Sequence, residues 1–247
     1  NWGVYLKPKA IKYFFVSCLV CLSIIGIEAP LASYSNFNSE NLDNELQELW
    51  SEDPTGFNIF QNRIETRLPE FKDNFVHAAR NLDVHWTLLA AISYQESHWN
   101  PKAISNTGVR GMMMLTQKTA KEMGIKKRTD PIQSISGGSN YFQKTLERLP
   151  DSIPKLDRMW MTLAAYNVGY VNLNEARELT EINKKDADKW MDVIPYLHAH
   201  LENRYGEEGN KGTNKAEEVT EYVNRIRLYY ETLSLIEKSK LVKVLNS

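Results

Sequence analysis

From Phe57 to Leu233, apolar residues recur mostly at three- and four-residue intervals, and no stretch alternates convincingly with the period of a strand. The pattern predicts an all-α fold. Phe57, Phe60, Ile64 and Leu68 mark one helix, and Phe71, Phe75 and Ala79 mark a second that ends near Leu82, with a break or kink at Pro69. Asp83 is expected to cap a helix from Val84 to Ser97, stopped by Asn100-Pro101. Thr116 or Gln117 opens a short helix ending at Gly124, and Asp130-Pro131 opens one running to about Leu149. Inside the latter, Gly137 and Gly138 mark either close helix packing or a local break. Asp157 is expected to cap a helix that carries Trp160, Leu163, Ala164 and Asn167 on one face and ends near Gly169. Its small residues Ala164 and Ala165 would let it approach the Val84–Ser97 helix. Val171 to Leu179 and Asp186 to His200 read as further helices, and residues 203–215 as a Gly-rich loop. A closing helix from Glu217 to Leu233 places Tyr222, Ile226 and Tyr230 on one face, and residues 234–247 extend it. No repeats are visible.

The first residues follow a different pattern. Lys7, Lys9 and Lys12 precede an uncharged run of 14 residues, Phe14 to Ile27, and the small residue Ala29 follows. A basic flank, a short apolar run and a small residue form an export signal over residues 1–29. A retained anchor with membrane association through residues 13–28 is the second reading and a buried helix the third, because the run is short for a spanning helix. The residues before Cys18 and Cys21 fit a lipoprotein signal poorly. Residues 30–56, with Glu40, Asp43, Glu45, Glu48, Glu52 and Asp53, read as an acidic linker, either disordered or holding a short helix around Leu42 to Trp50.

Composition narrows the function classes. The 247 residues suffice for one domain with extensions, and a net charge of −1 leaves no footprint for nucleic acid. Both cysteines lie in the N-terminal run, so residues 57–233 fold without a disulfide. No metal or other cofactor is expected. His77 and His85 have no metal-ligand spacing, and His198 and His200 point to adjacent faces.

The chemistry is concentrated at residues 83–116. Leu88, Ile92 and Glu96 follow at i, i+4 spacing beside Leu89, so an apolar stripe ends in a carboxylate. Desolvation raises the pKa of such an acid, and a position in the last helical turn disfavours its charge. Both effects favour the protonated form that a general acid needs. A small rotation of the helix would instead leave Glu96 solvated. The following turn holds Gly108 and Gly111, which allow positive φ, and then a Met112-Met113-Met114-Leu115 run too apolar for an exposed loop.

Three blocks, Glu96-Ser97, Gly108 to Thr116 (GVRGMMMLT) and Ala164 to Gly169 (AAYNVG), resemble in order the signature of the lytic transglycosylase (SLT, goose-lysozyme-like) domain. The wording YQESHW and GMMMLT is most similar to the membrane-bound lytic transglycosylase F type, over roughly residues 57–233. The resemblance implies a lysozyme-like helical domain that cleaves the MurNAc-β-1,4-GlcNAc bond of peptidoglycan without water, in the periplasm of a Gram-negative envelope. It implies Glu96 as acid and then base. By the same resemblance Ser105 hydrogen-bonds the sugar, Tyr166 and Asn167 lie beside the acid with Tyr166 orienting it, and Tyr222 stands near the cleft or packs in the core. Met112, Met113 and Met114 line the floor under an acetamido group or simply fill the core. Many relatives have Gln where Met114 stands, so a Gln contact to sugar is not carried over. Trp99 either stacks on a sugar or packs inside. The F type carries a solute-binding-like domain before the catalytic one, for which this sequence has no room.

Common glycosidases use two carboxylates. No Asp or Glu lies between Glu96 and Glu122, Asp130 is explained as a cap, and Glu175 and Glu178 read as a solvated face. A lone acid suits the transglycosylase. A goose-type lysozyme would need a second acid, and a non-catalytic peptidoglycan-binding module would not need the Glu96, Ser105 and Tyr166 set.

Overall fold

The structure is a computed structural model that describes residues 39–106, 108–206 and 211–245. The apolar run at residues 14–27, its cysteines and its flanks lie outside the described residues.

Ten helices account for most of the described chain: α1 (Ser39–Leu49), α2 (Pro54–Thr66), α3 (Leu68–Ala79), α4 (Trp86–Ser97), α5 (Gln117–Glu122), α6 (Pro131–Glu147), α7 (Lys155–Val168), α8 (Tyr170–Ile182), α9 (Trp190–Tyr205) and α10 (Lys211–Leu245). The only β pairing among the described residues is a pair of isolated bridges, Ile104 with Arg110 and Arg110 with Leu115. The all-α expectation agrees with this architecture.

Helix α4 is the centre. Of its 12 residues only Gln95 and Glu96 keep appreciable exposure. A helix buried all round needs neighbours on every side. Helix α10 packs along α4, with α3 beside it and the long α6 touching it more lightly. Helix α7 does not supply the close partner that Ala164 and Ala165 suggest. Both alanines are fully buried, but the main neighbours of α7 are α6, α8 and α10. Long α10 has enough buried apolar positions, from Val219 and Tyr222 to Leu233, to cover α4 and α7 together.

Several helix ends differ from expectation. His85, not Asp83, caps α4, with Nδ1 3.4 Å from the Thr87 N–H and 2.8 Å from Thr87 Oγ1. The helix ends at Ser97, three residues before Asn100, and His98 and Trp99 both take the left-handed conformation (φ 53° and 55°). Asp157 is inside the first turn of α7, and its Oδ1 accepts from the Trp190 N–H at 2.8 Å, tying α7 to the start of α9. Asp130 caps α6 as expected, accepting from the Gln133 N–H at 2.9 Å. The closing helix begins at Lys211 instead of Glu217 and is continuous to Leu245, so the loop is shorter than the glycines suggest.

The acidic segment before residue 57 joins the fold through α1. Trp50 is buried and donates from Nε1 to Thr232 Oγ1 on α10 at 2.8 Å. Its ring lies 5.7 Å from Phe60 and 6.0 Å from Tyr229. Phe60 and Tyr229 in turn pack on Tyr94, at 4.4 and 4.6 Å. This aromatic cluster lies under the last turns of α4 and helps hold His98 and Trp99 in a conformation that non-glycine residues seldom adopt.

Candidate active site

Glu96 occupies the last turn of α4, beside buried Ser97 and partly open to solvent. Burial raises its pKa from 4.5 to about 7, and a hydrogen bond from Tyr222 partly opposes that rise. The Tyr222 hydroxyl, on α10, donates to Glu96 Oε1 at 2.5 Å. Burial, with the adjacent Glu96 and Tyr166, holds the Tyr222 phenol well above its ordinary pKa, so it remains a donor.

Tyr166 does not bond Glu96. Its hydroxyl donates to the Met113 carbonyl at 3.0 Å, while its ring meets Tyr141 edge-on at 5.3 Å. Burial first, then Glu96, pushes its phenol well above the usual value, which places the ring in the field of the acid. The residue that bonds the acid is therefore Tyr222. Spacing alone does not reveal this, because 126 residues separate the two.

The floor beside Glu96 is the turn from residue 103 to 116. The Met112 carbonyl accepts from Ser93 Oγ at 3.0 Å and Ser97 Oγ at 2.9 Å, so α4 holds the turn directly. Met113 N–H donates to Ser134 Oγ on α6 at 3.1 Å. The Arg128 guanidinium donates to the carbonyls of Leu115 (2.7 Å) and Gly108 (3.2 Å). Gly108 and Gly111 have φ of 79° and 88°, as the turn requires. A Cβ on Gly111 would lie 2.1 Å from the Arg128 carbonyl oxygen, and one on Gly138 would lie 2.4 Å from Met113 Cβ. The two α6 glycines thus admit the turn and the segment after it against the helix: a Cβ on Gly137 would lie 3.0 Å from Leu115 Cδ1 and 2.5 Å from Ile125 Cγ1.

Met112 and Met113 are fully buried, so neither side chain lines an open floor. Met113 contributes its backbone, pinned by Tyr166 and Ser134, and its side chain packs on Gly138. Met114 keeps partial exposure at φ 46°. Trp99 is also interior: it is 1% exposed and donates from Nε1 to the Ala90 carbonyl at 2.9 Å, which excludes sugar stacking in this arrangement.

Ser105 belongs to the same turn. Its Oγ accepts from the Val109 N–H at 3.2 Å and its N–H donates to the Val109 carbonyl at 3.0 Å. Asn167 follows Tyr166 on α7, and its Oδ1 is buried without a hydrogen-bond partner among the described residues. Ser93, Ser134 and Arg128 are site-building residues that sequence reasoning missed; each acts through a backbone carbonyl or N–H, which leaves no side-chain pattern.

No second carboxylate acts on Glu96 among the described residues. Glu175 faces His200 and Arg204 (3.1 and 3.7 Å). No group of His, Cys, Asp and Glu suited to a metal ion occurs among the described residues. His198 bonds Thr220 at 2.7 Å and His200 bonds Asn172 at 3.0 Å, both structural contacts.

The family model of the transglycosylase SLT domain matches residues 73–189. The membrane-bound lytic murein transglycosylases F of Shewanella sediminis and Alcanivorax borkumensis are 47% and 45% identical to the chain. The matches cover 72% and 73% of this chain but 37% and 39% of those proteins. The chain thus spans under half the length of these relatives. A solved lytic transglycosylase Slt of Pseudomonas aeruginosa aligns at TM-score 0.48 and 18% identity, covering 81% of this chain and 31% of that one. From the model match and these relatives, the helical domain built around Glu96 belongs to the transglycosylase SLT family.

Proposed function

We propose that the chain is a peptidoglycan lytic transglycosylase acting through Glu96. The observation that carries this reading is a single carboxyl group, poised near neutrality and hydrogen-bonded by Tyr222 on one oxygen only. Protonated Glu96 donates to the glycosidic oxygen as the C1–O bond of N-acetylmuramic acid breaks, and the N-acetylglucosamine hydroxyl leaves. The resulting carboxylate takes the proton of the muramic C6 hydroxyl, whose oxygen attacks C1. Glu96 regains its proton, no water is consumed, and a 1,6-anhydromuramyl end forms. An intramolecular nucleophile removes the need for a second carboxylate to activate water, and proximity lowers the barrier.

Ser105, Met114 and Asn167 are the residues we assign to the sugar, and Tyr222 to the acid. The orphaned Oδ1 of Asn167 supports its place in that set, since a buried acceptor without a partner favours a ligand donor. Action on peptidoglycan implies the cell envelope, in keeping with relatives named membrane-bound. Among the described residues no helix is long and apolar enough to cross a membrane.

Mass spectrometry of muropeptides released from purified sacculi tests the reading. Wild type should release anhydromuramyl ends, and Glu96→Gln should lower the rate by roughly 10³-fold or more with the fold intact, within the range of general acid–base catalysis. Reducing ends would mean a lysozyme-type hydrolase instead. Release of neither by wild type would leave a binding module.

A further inference from the structure

Arg128 lies in the connection between α5 and α6, and its guanidinium joins two limbs of the floor. Nη1 donates to the Leu115 carbonyl at 2.7 Å and Nη2 to the Gly108 carbonyl at 3.2 Å. Among the described residues it has no carboxylate partner. A side chain suited to pairing with an acid is spent here on two backbone carbonyls.

The first limb carries Met114. Met113 before it is held at its N–H by Ser134 and at its carbonyl by Tyr166, and Leu115 after it is held by Arg128. Met114 thus lies between two clamped residues at φ 46°, a conformation that an L side chain seldom adopts. Such a conformation persists only where the surroundings over-determine it. The second limb carries Ser105. The Gly108 N–H donates to the Ser105 carbonyl at 3.0 Å, and the Ser105 N–H and Oγ both bond Val109, at 3.0 and 3.2 Å. A grip on the Gly108 carbonyl is therefore a grip on the Ser105 turn.

The mount of Arg128 is firm. Gln133 Oε1 on α6 accepts from the Lys126 and Lys127 N–H groups at 3.2 and 3.1 Å, and the Asp130 N–H donates to the Lys127 carbonyl at 3.0 Å. The Arg128 carbonyl packs so closely on Gly111 that no Cβ fits there. A planar guanidinium carries its N–H groups on separate nitrogens at a fixed separation, so it sets the spacing of the two carbonyls it spans. A lysine ammonium on a flexible stem has one nitrogen and sets no such spacing.

We propose that Arg128 is a positioning residue for the glycan strand: by spanning the Leu115 and Gly108 carbonyls it holds Met114 and Ser105 at the spacing that the bound sugar requires. The proposal rests on the assignment of those two residues to the sugar. Burial and Tyr222 set the titration of Glu96, and Arg128 has no part in it. Loss of Arg128 therefore appears in binding and not in proton transfer.

The test measures the Kd of soluble glycan strands for the full chain carrying Glu96→Gln, with Arg128 kept or changed to Ala or Lys. KM, kcat and the alkaline limb are measured in the same Arg128 variants with Glu96 intact. His200→Ala, whose contacts are structural and remote from the floor, is the control for lost stability. Arg128→Ala should raise Kd and KM by about tenfold, with kcat within about twofold and the alkaline limb in place. Arg128→Lys keeps the charge but not the fork, so it should still raise both by about threefold, and it carries the test should Arg128→Ala not fold. His200→Ala should leave Kd unchanged. Unchanged Kd in both Arg128 variants, full recovery with Lys, an equal rise in His200→Ala, or no strand binding with Arg128 kept would each overturn the proposal. Failure of the transglycosylase reading is seen separately, as wild type releasing no anhydromuramyl ends, and leaves the Kd comparison standing.

Discussion

The two sides of the acid are built differently. The floor, residues 103–116, is fixed many times over: two serines of α4 share one carbonyl, Ser134 accepts one N–H, Arg128 spans two further carbonyls, and Tyr166 grips a fourth. The wall is one helix, α10, that reaches Glu96 through a single phenol. A region held by many backbone bonds tolerates little change in shape, while a region meeting the site through one bond tunes chemistry with small effect on folding. Substitutions in the floor should therefore register as stability, and substitutions in the wall as a change in the acid's titration.

The sharpest probe of the floor is a pair of glycines. Gly111→Ala places Cβ 2.1 Å from the Arg128 backbone oxygen at φ 88°, so backbone must move. A loss of at least about 3 kcal/mol is expected by denaturant titration. Gly108→Ala has φ 79° but nothing within 4 Å of the new Cβ, so it should suffer only the backbone strain, about 1 kcal/mol. Equal losses would mean that the floor is not tightly set against Arg128.

Glu96 itself shows how the site is strained against the fold. Its folded pKa, about 7, lies above the 4.5 of an unperturbed glutamate, so between those values the native state binds the proton that the unfolded chain releases. Stability contributed by this group is thus greatest below pH 4.5 and declines as pH rises through 7. Glu96→Gln removes the penalty. It should stabilise the protein at pH 8 by about 2 kcal/mol, after allowance for solvent access, and make no comparable difference at pH 4. A gain independent of pH would show that desolvation of the carboxylate is not what raises its pKa.

How far the sequence showed this arrangement depends on the kind of contact. Helical spacing placed Glu96 at the end of an apolar stripe, and its turn glycines and the α6 glycines were recognisable because each answers a local steric need. The α6 cap at Asp130 was legible for the same reason. Helix α4 is buried on all faces, so a one-sided stripe understated its central place. The cap of α4 was misread because His85 can fill the role usually given to Asp, and Asp157 was misread because a tertiary N–H, from Trp190, claims it. The roles of Tyr166 and Tyr222 depend on which of two hydroxyls reaches the carboxylate, and that is decided by the packing of α10 and α7 around the site, which no periodicity records.

The two tyrosines give the finest test of the contrast between wall and floor. Tyr222→Phe deletes the one hydrogen bond that favours ionised Glu96, so the pKa of the acid should rise further. In the proposed mechanism the alkaline limb of the kcat profile reports loss of the acid form, so it should move to higher pH, while kcat falls as the carboxylate loses its fixed orientation. The expected decrease is about tenfold, the worth of one hydrogen bond to a charged group. Tyr166→Phe instead frees the Met113 carbonyl, for a stability loss of about 1 kcal/mol. It removes no bond to Glu96, so the alkaline limb should stay where it is. If Tyr166→Phe shifts that limb as far as Tyr222→Phe does, the floor sets the acid's titration as strongly as the wall, and the division of labour between the two regions fails.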